Sequence, residues 1–130
     1  MEHDYKIELS KRRLEIAHER LTTAKAMLEL GDYKASANRL YYAIFSAMRA
    51  VLALDGFDSK KHSGIIARFR QSYIKTGILD TEMSKIIDDL EVIREDSFFV
   101  SPKDSDLVAE NASRVISDAL NMVLNESVYE

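Results

Sequence analysis

The sequence predicts an all-α protein, and three observations support that prediction. Four glycines and one proline divide the 130 residues into five segments. None of these segments alternates apolar and polar residues as a half-buried strand does. Apolar residues instead recur at spacings of three and four, which place them on one face of a helix. We therefore expect one domain, residues 1–130, folded as an up-and-down antiparallel bundle of four main helices and a shorter fifth.

The first two segments are long amphipathic helices separated at Gly31. Helix 1 runs from about residue 4 to residue 30 and carries an apolar seam with heptad-like spacing. Asp32 is placed to cap helix 2, which continues to about Asp55 and has one apolar stripe on a helical wheel. The residues predicted to enter the core are Ile7, Leu14, Ala17, Leu21, Ala24 and Leu28 of helix 1, and Ala37, Leu40, Tyr41, Ile44, Ala47, Met48, Val51 and Leu52 of helix 2.

The remaining three segments are shorter helices with the same apolar pattern. Helix 3 covers roughly residues 62–76, and Asp80 or Thr81 opens helix 4. Ser101 to Asp104 is an S-x-x-D cap with proline at the first helical position of helix 5. Their predicted buried residues are Ile65, Ile66, Phe69 and Tyr73 of helix 3, Met83, Ile86, Ile87, Leu90, Ile93 and Ser97 of helix 4, and Val108, Ala112, Val115, Ala119 and Met122 of helix 5.

The composition excludes several classes of protein. With 46% hydrophobic and 31% charged residues the chain is globular, and without cysteine it holds neither disulfides nor a thiolate zinc site. It lacks the run of about 18 apolar residues that a membrane span needs, so we expect a cytoplasmic protein. The net charge of -4 argues against binding nucleic acid through bulk charge. The densest basic run, Lys11 to Arg13, is interpreted as a solvated helix face.

Helix 2 carries a second, polar stripe beside its apolar one. Arg39, Tyr42, Ser46 and Arg49 are spaced three, four and three residues apart, with Phe45 between the two stripes. A solvated face usually carries lysine and glutamate, whereas arginine and tyrosine are enriched at interfaces. The stripe is therefore interpreted as a helix-packing or dimer surface rather than a catalytic one. The alternative is that the arginine stems simply cover neighbouring apolar area.

Two further places are candidates for binding. The loop SKKHSG puts Lys60, Lys61, His62 and Ser63 at the N-terminus of helix 3, where free N–H groups and two ammonium groups would suit a phosphate. An ordinary capping loop with exposed lysines is the alternative. Arg94 lies at the edge of the helix 4 stripe and is expected to pair with an acid of that helix or of a neighbour. The three histidines lack metal-ligand spacing, so neither a metal nor a cofactor is predicted.

The order of short motifs along the chain resembles the small prokaryotic HEPN-domain proteins. GDYKASANRLYYAIFSAMRAVL, KKHSG, FRQSYIKTGILD and IREDSFF follow one another as the GDY, R-x-YYA-x-F, HSG, KTG-x-L and R-x-x-ADY motifs do in that family. The resemblance extends roughly from Leu14 to Val123. It implies a bundle of about five helices that pairs through its long helices, and a minimal nucleotidyltransferase as partner in a toxin–antitoxin-like pair.

In active HEPN toxins, an R-x(4 to 6)-H motif on a late helix forms a metal-independent endoribonuclease site across the dimer. The histidine acts as general acid and base, and the arginine stabilises charge developing on phosphorus. This chain departs from that pattern, because Arg94 is followed by EDSFFVSP and no histidine occurs after His62. No catalytic residue is therefore assigned.

Three functional hypotheses remain. The first is a homodimeric binding and assembly protein that docks a nucleotidyltransferase. The second is a divergent endoribonuclease that acts on RNA through Arg94, with His62 brought close in space. The third is a structural helper without a ligand. For the first, a bound nucleotide or phosphate would be held by Arg39, Tyr42, Arg49, Lys60, Lys61, His62, Ser63 and Arg94.

Overall fold

The computed structural model describes residues 3–79, 81–96, 110–111, 113–114 and 116–121, and for Leu90 and residues 93–96 it describes the backbone alone. This part of the chain is helical throughout its regular structure and contains no strand, as predicted. None of its helices is long and apolar enough to cross a membrane. Its elements are α1 (His3–Glu29), α2 (Tyr33–Leu54), α3 (His62–Phe69), a π-helical turn (Arg70–Ile74) and α4 (Glu82–Asp96), followed by helical residues at 110–111, 113–114 and 116–121.

α1 and α2 form a helical hairpin whose turn matches the prediction. Gly31 has a positive φ of 79°, and the Asp32 carboxylate caps α2 by accepting a hydrogen bond from the Ala35 N–H at 3.2 Å. The predicted seam of α1 is buried from Ile7 to Ala24, and Leu28 is partly buried against the core. The seam also contains Ser10, which the apolar pattern missed.

α2 is the central helix, because it packs against α1, α3 and α4. All eight of its predicted core residues are buried, and Ala43, Ala50 and Ala53 are fully buried on its other sides. Small side chains at these positions leave room for neighbouring helices to approach closely. The helix is consequently buried over most of its circumference, and its polar residues must find partners inside the protein.

Helix 3 does not continue regularly to Thr76 as predicted. α3 ends at Phe69, and the next turn widens so that the Lys75 N–H donates to the Arg70 carbonyl, five residues back, at 2.9 Å. The wider turn buries both Tyr73 and Ile74. The Tyr73 hydroxyl donates to the Asp55 carboxylate at 2.6 Å, and the Arg70 guanidinium pairs with Asp88 of α4.

The C-terminal half of the core is described in part. Met83, Ile86 and Ile87 of α4 and Ala119 are buried as predicted, and Ile116 joins them at 1% exposure. The other predictions lie outside the described residues or side chains; these are the Asp80 start of helix 4, the Ser101–Asp104 cap, and burial of Leu90, Ile93, Ser97, Val108, Ala112, Val115 and Met122.

Candidate ligand-binding site

His62, the first residue of α3, lies against the aromatic face of α2. Its ring stacks on Phe45 with centroids 4.1 Å apart, and the rings of Tyr41 and Tyr42 each lie 6.0 Å away. The Tyr41 hydroxyl is within hydrogen-bond distance of Nδ1, at 3.1 Å. These contacts fix the imidazole in one orientation at the junction of α2 and α3. His62 is therefore a positioned group rather than a residue on a free loop.

Two cavities open on either side of the His62 ring. The larger, of about 520 Å³, will be called the Arg49 cavity; the smaller, of about 320 Å³, will be called the Glu91 cavity. The Arg49 cavity is lined by Phe45, Arg49, Asp58, Ser59, Lys60 and His62, and the Glu91 cavity by Tyr41, His62, Ser63, Ile66, Ala67, Arg70 and Glu91.

The Arg49 cavity joins residues from two separate sequence predictions. Arg49 belongs to the polar stripe of α2, whereas Lys60 and His62 belong to the loop before α3. The structure thus brings one guanidinium, one ammonium and one imidazole to the same opening. Cationic side chains in this arrangement suit a phosphate group, since arginine and lysine are its usual ligands.

Asp58 is the residue of this site that the sequence did not single out. Its carboxylate accepts hydrogen bonds from Arg13 at 2.9 Å and from Arg49 at 3.0 and 3.1 Å, so it links α1, α2 and the connecting loop. Partial burial acts to raise the pKa of Asp58, but the hydrogen bonds from the Ser59 N–H, Arg13 and Arg49 outweigh it, and the pKa lies below its ordinary value. The carboxylate is therefore charged in all but strongly acidic solution.

The polar stripe of α2 is largely occupied by contacts within the chain. Arg20 of α1 donates to the Ser46 hydroxyl at 2.8 Å and lies over the Tyr42 ring, 5.7 Å from its centroid. Arg49 binds Asp58, whereas Arg39 is exposed. Helix packing thus accounts for three of the four stripe residues. Arg39 lines neither cavity and stands apart from the site.

The basic run of α1 is not wholly a solvated face. Lys11 and Arg12 are exposed, but the Arg13 side chain is only 12% exposed. Besides Asp58, it donates to the Arg49 carbonyl at 3.2 Å. The interpretation of this run as solvated is wrong for Arg13, because the approach of α1 to α2 covers it. The seven-residue spacing from Arg13 to Arg20 is the signal that places both on one helix face.

The loop before α3 is tightly folded. The Lys61 N–H donates to the Ser59 hydroxyl at 3.2 Å, so this N–H already has an acceptor. Lys60, Lys61 and Ser63 are exposed. Lys61 lines neither cavity, whereas Ser63 lines the Glu91 cavity. Of the four loop residues predicted to bind a phosphate, Lys60 and His62 are the two that line the Arg49 cavity.

Arg94 lies on α4 one turn after Glu91, and its side chain is outside the described part of the structure. Its predicted acidic partner therefore stays a prediction. Asp88, an acid of the same helix, pairs with Arg70. Among the described residues, no group of histidine and carboxylate side chains is arranged to hold a metal ion.

The chain is similar to a known domain family and to several proteins of archaea and bacteria. The model of the HEPN domain matches residues 10–126. A UPF0332 protein of Pyrococcus horikoshii is 35% identical over 74 residues, which cover 57% of this chain and 52% of that protein. A UPF0332 protein of Thermotoga maritima is 38% identical over 69 residues, covering 53% and 52%.

A third relative is matched over more of its length. The Methanocaldococcus jannaschii protein named "Putative toxin MJ0605" is 31% identical over 98 residues, which cover 75% of this chain and 73% of that protein. The chain thus spans about half the length of the Pyrococcus and Thermotoga relatives that it matches.

Proposed function

Because this chain belongs to the HEPN family, we propose that it is the HEPN component of a toxin–antitoxin-like pair. In this proposal it is a homodimeric binding protein that assembles with a minimal nucleotidyltransferase and holds a phosphate-bearing ligand, such as a nucleotide, beside His62. The names of two Methanocaldococcus relatives, both "Putative toxin", support the toxin–antitoxin part. The resemblance of the motif series supports the choice of partner.

The observation that carries the ligand part is the composition of the Arg49 cavity. Arg49 and Lys60 supply positive charge, and His62 supplies a hydrogen-bonding ring that is already packed on Phe45. The Nε of Arg49 is buried and has no hydrogen-bond partner. A buried donor without an acceptor is costly, so it marks a place where a ligand oxygen or a water is expected.

The assembly part is tested by co-purification. We expect the neighbouring reading frame to encode a minimal nucleotidyltransferase, and a tagged copy of this protein to retain it at a fixed ratio through gel filtration. The control is the nucleotidyltransferase passed alone over the same resin. Separation of the two proteins on the column contradicts the proposal.

The ligand part is tested by calorimetric titration with ATP. Lys60→Gln and His62→Gln should each weaken binding, by about threefold to tenfold, since each removes a charge or hydrogen bond at the cavity wall. Lys75→Gln is the matched control, because Lys75 is an exposed lysine that lines neither cavity. Equal affinities for all four proteins would place the ligand elsewhere.

The Glu91 cavity favours a second candidate function, the divergent endoribonuclease. His62 and Glu91 line this cavity together, and Arg94 follows Glu91 by one turn of α4. A histidine and an acid at one cavity fit general acid–base cleavage of RNA. The test is incubation of single-stranded RNA with the purified protein in EDTA. Cleavage that disappears in His62→Ala supports this function, and intact RNA excludes it.

A further inference from the structure

A groove between α1 and α2 collects four arginines. Its lining, which we call the arginine groove, encloses about 200 Å³ and consists of Leu9, Arg12, Arg13, Ile16, Arg20, Ser46 and Arg49. The five residues from α1 lie at spacings of three, four and seven, which put them on one helix face opposite Ser46 and Arg49 of α2. The groove is separate from both cavities beside His62 and shares only Arg49 with them.

The charge of this groove is opposite to that of the whole protein. The chain carries a net charge of -4, yet none of the described residues that line the groove is acidic. Among the described residues, Asp58 is the carboxylate that pairs with these arginines, and it reaches Arg13 and Arg49 from the adjoining loop. The four arginines and this one carboxylate together leave an excess of three positive charges. Guanidinium groups held close together repel one another, so an anion that enters the groove relieves that repulsion.

Two arginines of the groove form no ion pair with a described residue. Arg20 donates to the neutral Ser46 hydroxyl, and Arg12 is exposed. Arginine presents paired N–H groups that match phosphate oxygens in a bidentate manner. The described residues of the lining include no aromatic ring on which a base could stack, so the groove fits the phosphates of a ligand rather than its base.

Asp58 already binds two of the four arginines that line the groove. Its carboxylate binds the Nη2 atoms of both Arg13 and Arg49, and its side chain is 40% exposed. It is held by its own loop, since it also accepts a hydrogen bond from the Ser59 N–H at 2.9 Å. An anion binding in the groove must compete with this carboxylate for two of the four arginines.

We propose that the arginine groove binds a polyphosphate group, and that Asp58 weakens this binding by serving as a competing internal anion. The site is distinct from the proposed ligand site beside His62 and does not depend on the dimer or on the nucleotidyltransferase. The group could be free or attached to a nucleoside, because the groove recognises the phosphates alone.

The test is calorimetric titration of the full-length protein at low ionic strength, with inorganic triphosphate in one arm and ATP in the other. Arg12→Gln and Arg20→Gln should each weaken binding of both probes by about threefold to tenfold. These arginines are chosen because they do not hold Asp58, so the loop stays in place. Asp58→Asn should tighten binding by about threefold or more, since the competing charge is removed.

Lys25→Gln is the matched control, because Lys25 is exposed on α1 and does not line the groove. It should change affinity by less than about twofold, as a screened charge outside the site does. Thermal unfolding of each variant verifies that it is folded. At the groove, Arg12→Gln and Arg20→Gln should weaken ATP and triphosphate binding by the same factor, since the phosphates make the contacts that these substitutions remove.

Three results would overturn the proposal. The first is a lack of triphosphate binding by the wild-type protein and by Asp58→Asn. The second is unchanged binding in Arg12→Gln and Arg20→Gln while Lys60→Gln and His62→Gln lose affinity, which would place the anion beside His62. The third is weaker binding in Asp58→Asn, which would make the carboxylate a support for the site rather than a competitor. Failure to co-purify with a nucleotidyltransferase leaves the groove proposal unaffected.

Discussion

Gly64 is the residue on which the loop before α3 depends most directly. A Cβ at this position would lie 2.7 Å from the Ser59 hydroxyl and 3.3 Å from the Ser59 Cβ. The first of these distances is far below van der Waals contact, and the hydroxyl is held because it accepts a hydrogen bond from the Lys61 N–H. The requirement for glycine is therefore steric. It comes from the close approach of Ser59, which also lines the Arg49 cavity.

The effect of Gly64→Ala on the free energy of unfolding should depend on the residue at position 59 and even change sign with it. Alone, the substitution should lower the free energy of unfolding by about 1 kcal/mol, because it forces Ser59 away. In a Ser59→Gly background the obstacle is gone, and the same substitution should raise the free energy of unfolding by up to about 1 kcal/mol, because alanine is the better helix former.

Urea unfolding of the four proteins in this cycle measures the effect. The predicted coupling exceeds the few tenths of a kcal/mol expected for independent sites. An equal loss in both backgrounds would show that backbone strain, and not the contact with Ser59, excludes alanine.

The sequence predicted some of the residues that form the site, but not all of them. Arg49, Lys60 and His62 stood out by residue type and by position on helix 2 or at a helix start, and they meet at one cavity. Asp58 did not stand out, because its two arginine partners are 45 and 9 residues away and its role arises only when α1, α2 and the loop come together. A single acid in a loop carries no periodic signal.

At the level of elements, two buried serines join α1 to α2. The Ser10 hydroxyl donates to the Ala50 carbonyl at 2.7 Å, and the Ser36 hydroxyl donates to the Ala24 carbonyl at 2.8 Å. Both serines are fully buried. Because Ser10 and Ala24 are fourteen residues apart on α1, the two bonds are separated by roughly 20 Å along the helix. They fix the register of the hairpin at both ends.

Replacing these serines should weaken the hairpin additively. Ser10→Ala and Ser36→Ala should each lower the free energy of unfolding by about 1 kcal/mol, the usual contribution of a buried hydrogen bond. The double variant should lose about 2 kcal/mol, since distant sites act independently. Thr22→Ala is the control: its hydroxyl is exposed and bonds only to the His18 carbonyl of its own helix. Chemical unfolding measures all four, and a serine variant as stable as the control would contradict the prediction.

The loop between α2 and α3 should loosen in acid. The pKa of Asp58 lies below its ordinary value in the folded protein, so its contribution to stability is present above the unfolded pKa and is lost as the pH falls through the folded one. The charges facing it are Arg13 of α1 and Arg49 of α2. The loss should therefore begin below about pH 4 and be small, because the carboxylate is partly exposed.

NMR titration of the Asp58 carboxyl from about pH 6 to about pH 2.5 measures this effect. The Ser59 amide should titrate with the carboxylate, because it donates to it. In Asp58→Asn the corresponding inflection of the amide shift should be absent. A midpoint above the value for an unfolded aspartate would contradict the prediction.

The sequence also indicated most elements but not their irregularities. Apolar spacing correctly placed the core stripe of α2, because that stripe depends on helix periodicity alone. It did not indicate the π-helical turn. That turn lets Tyr73 reach Asp55 at the end of α2 while Arg70 reaches Asp88 on α4. Its cause is tertiary and has no signature in the local pattern.

At the level of the whole molecule, the open question is how two copies would pair. The polar stripe of α2 was interpreted as a helix-packing or dimer surface, and Tyr42, Ser46 and Arg49 are engaged by Arg20, His62 and Asp58 of the same chain. Arg39 is the exposed member. Substitution of Arg49 would remove two of the hydrogen bonds that hold Asp58 whether or not a dimer forms. Arg39 is therefore the better position at which to test the interface.

We expect the protein to be a dimer at micromolar concentration and Arg39→Glu to shift it toward the monomer, because reversing an exposed interface charge introduces repulsion or removes a partner. The melting temperature at low concentration should stay unchanged, since Arg39 is exposed on the surface of the described bundle. Lys34→Glu is the matched control: it reverses an exposed charge on the same helix, five residues away and so on a different side. Sedimentation equilibrium measures both. A dimer that persists in Arg39→Glu would place the interface on another face, and a monomeric wild type would contradict the dimer itself.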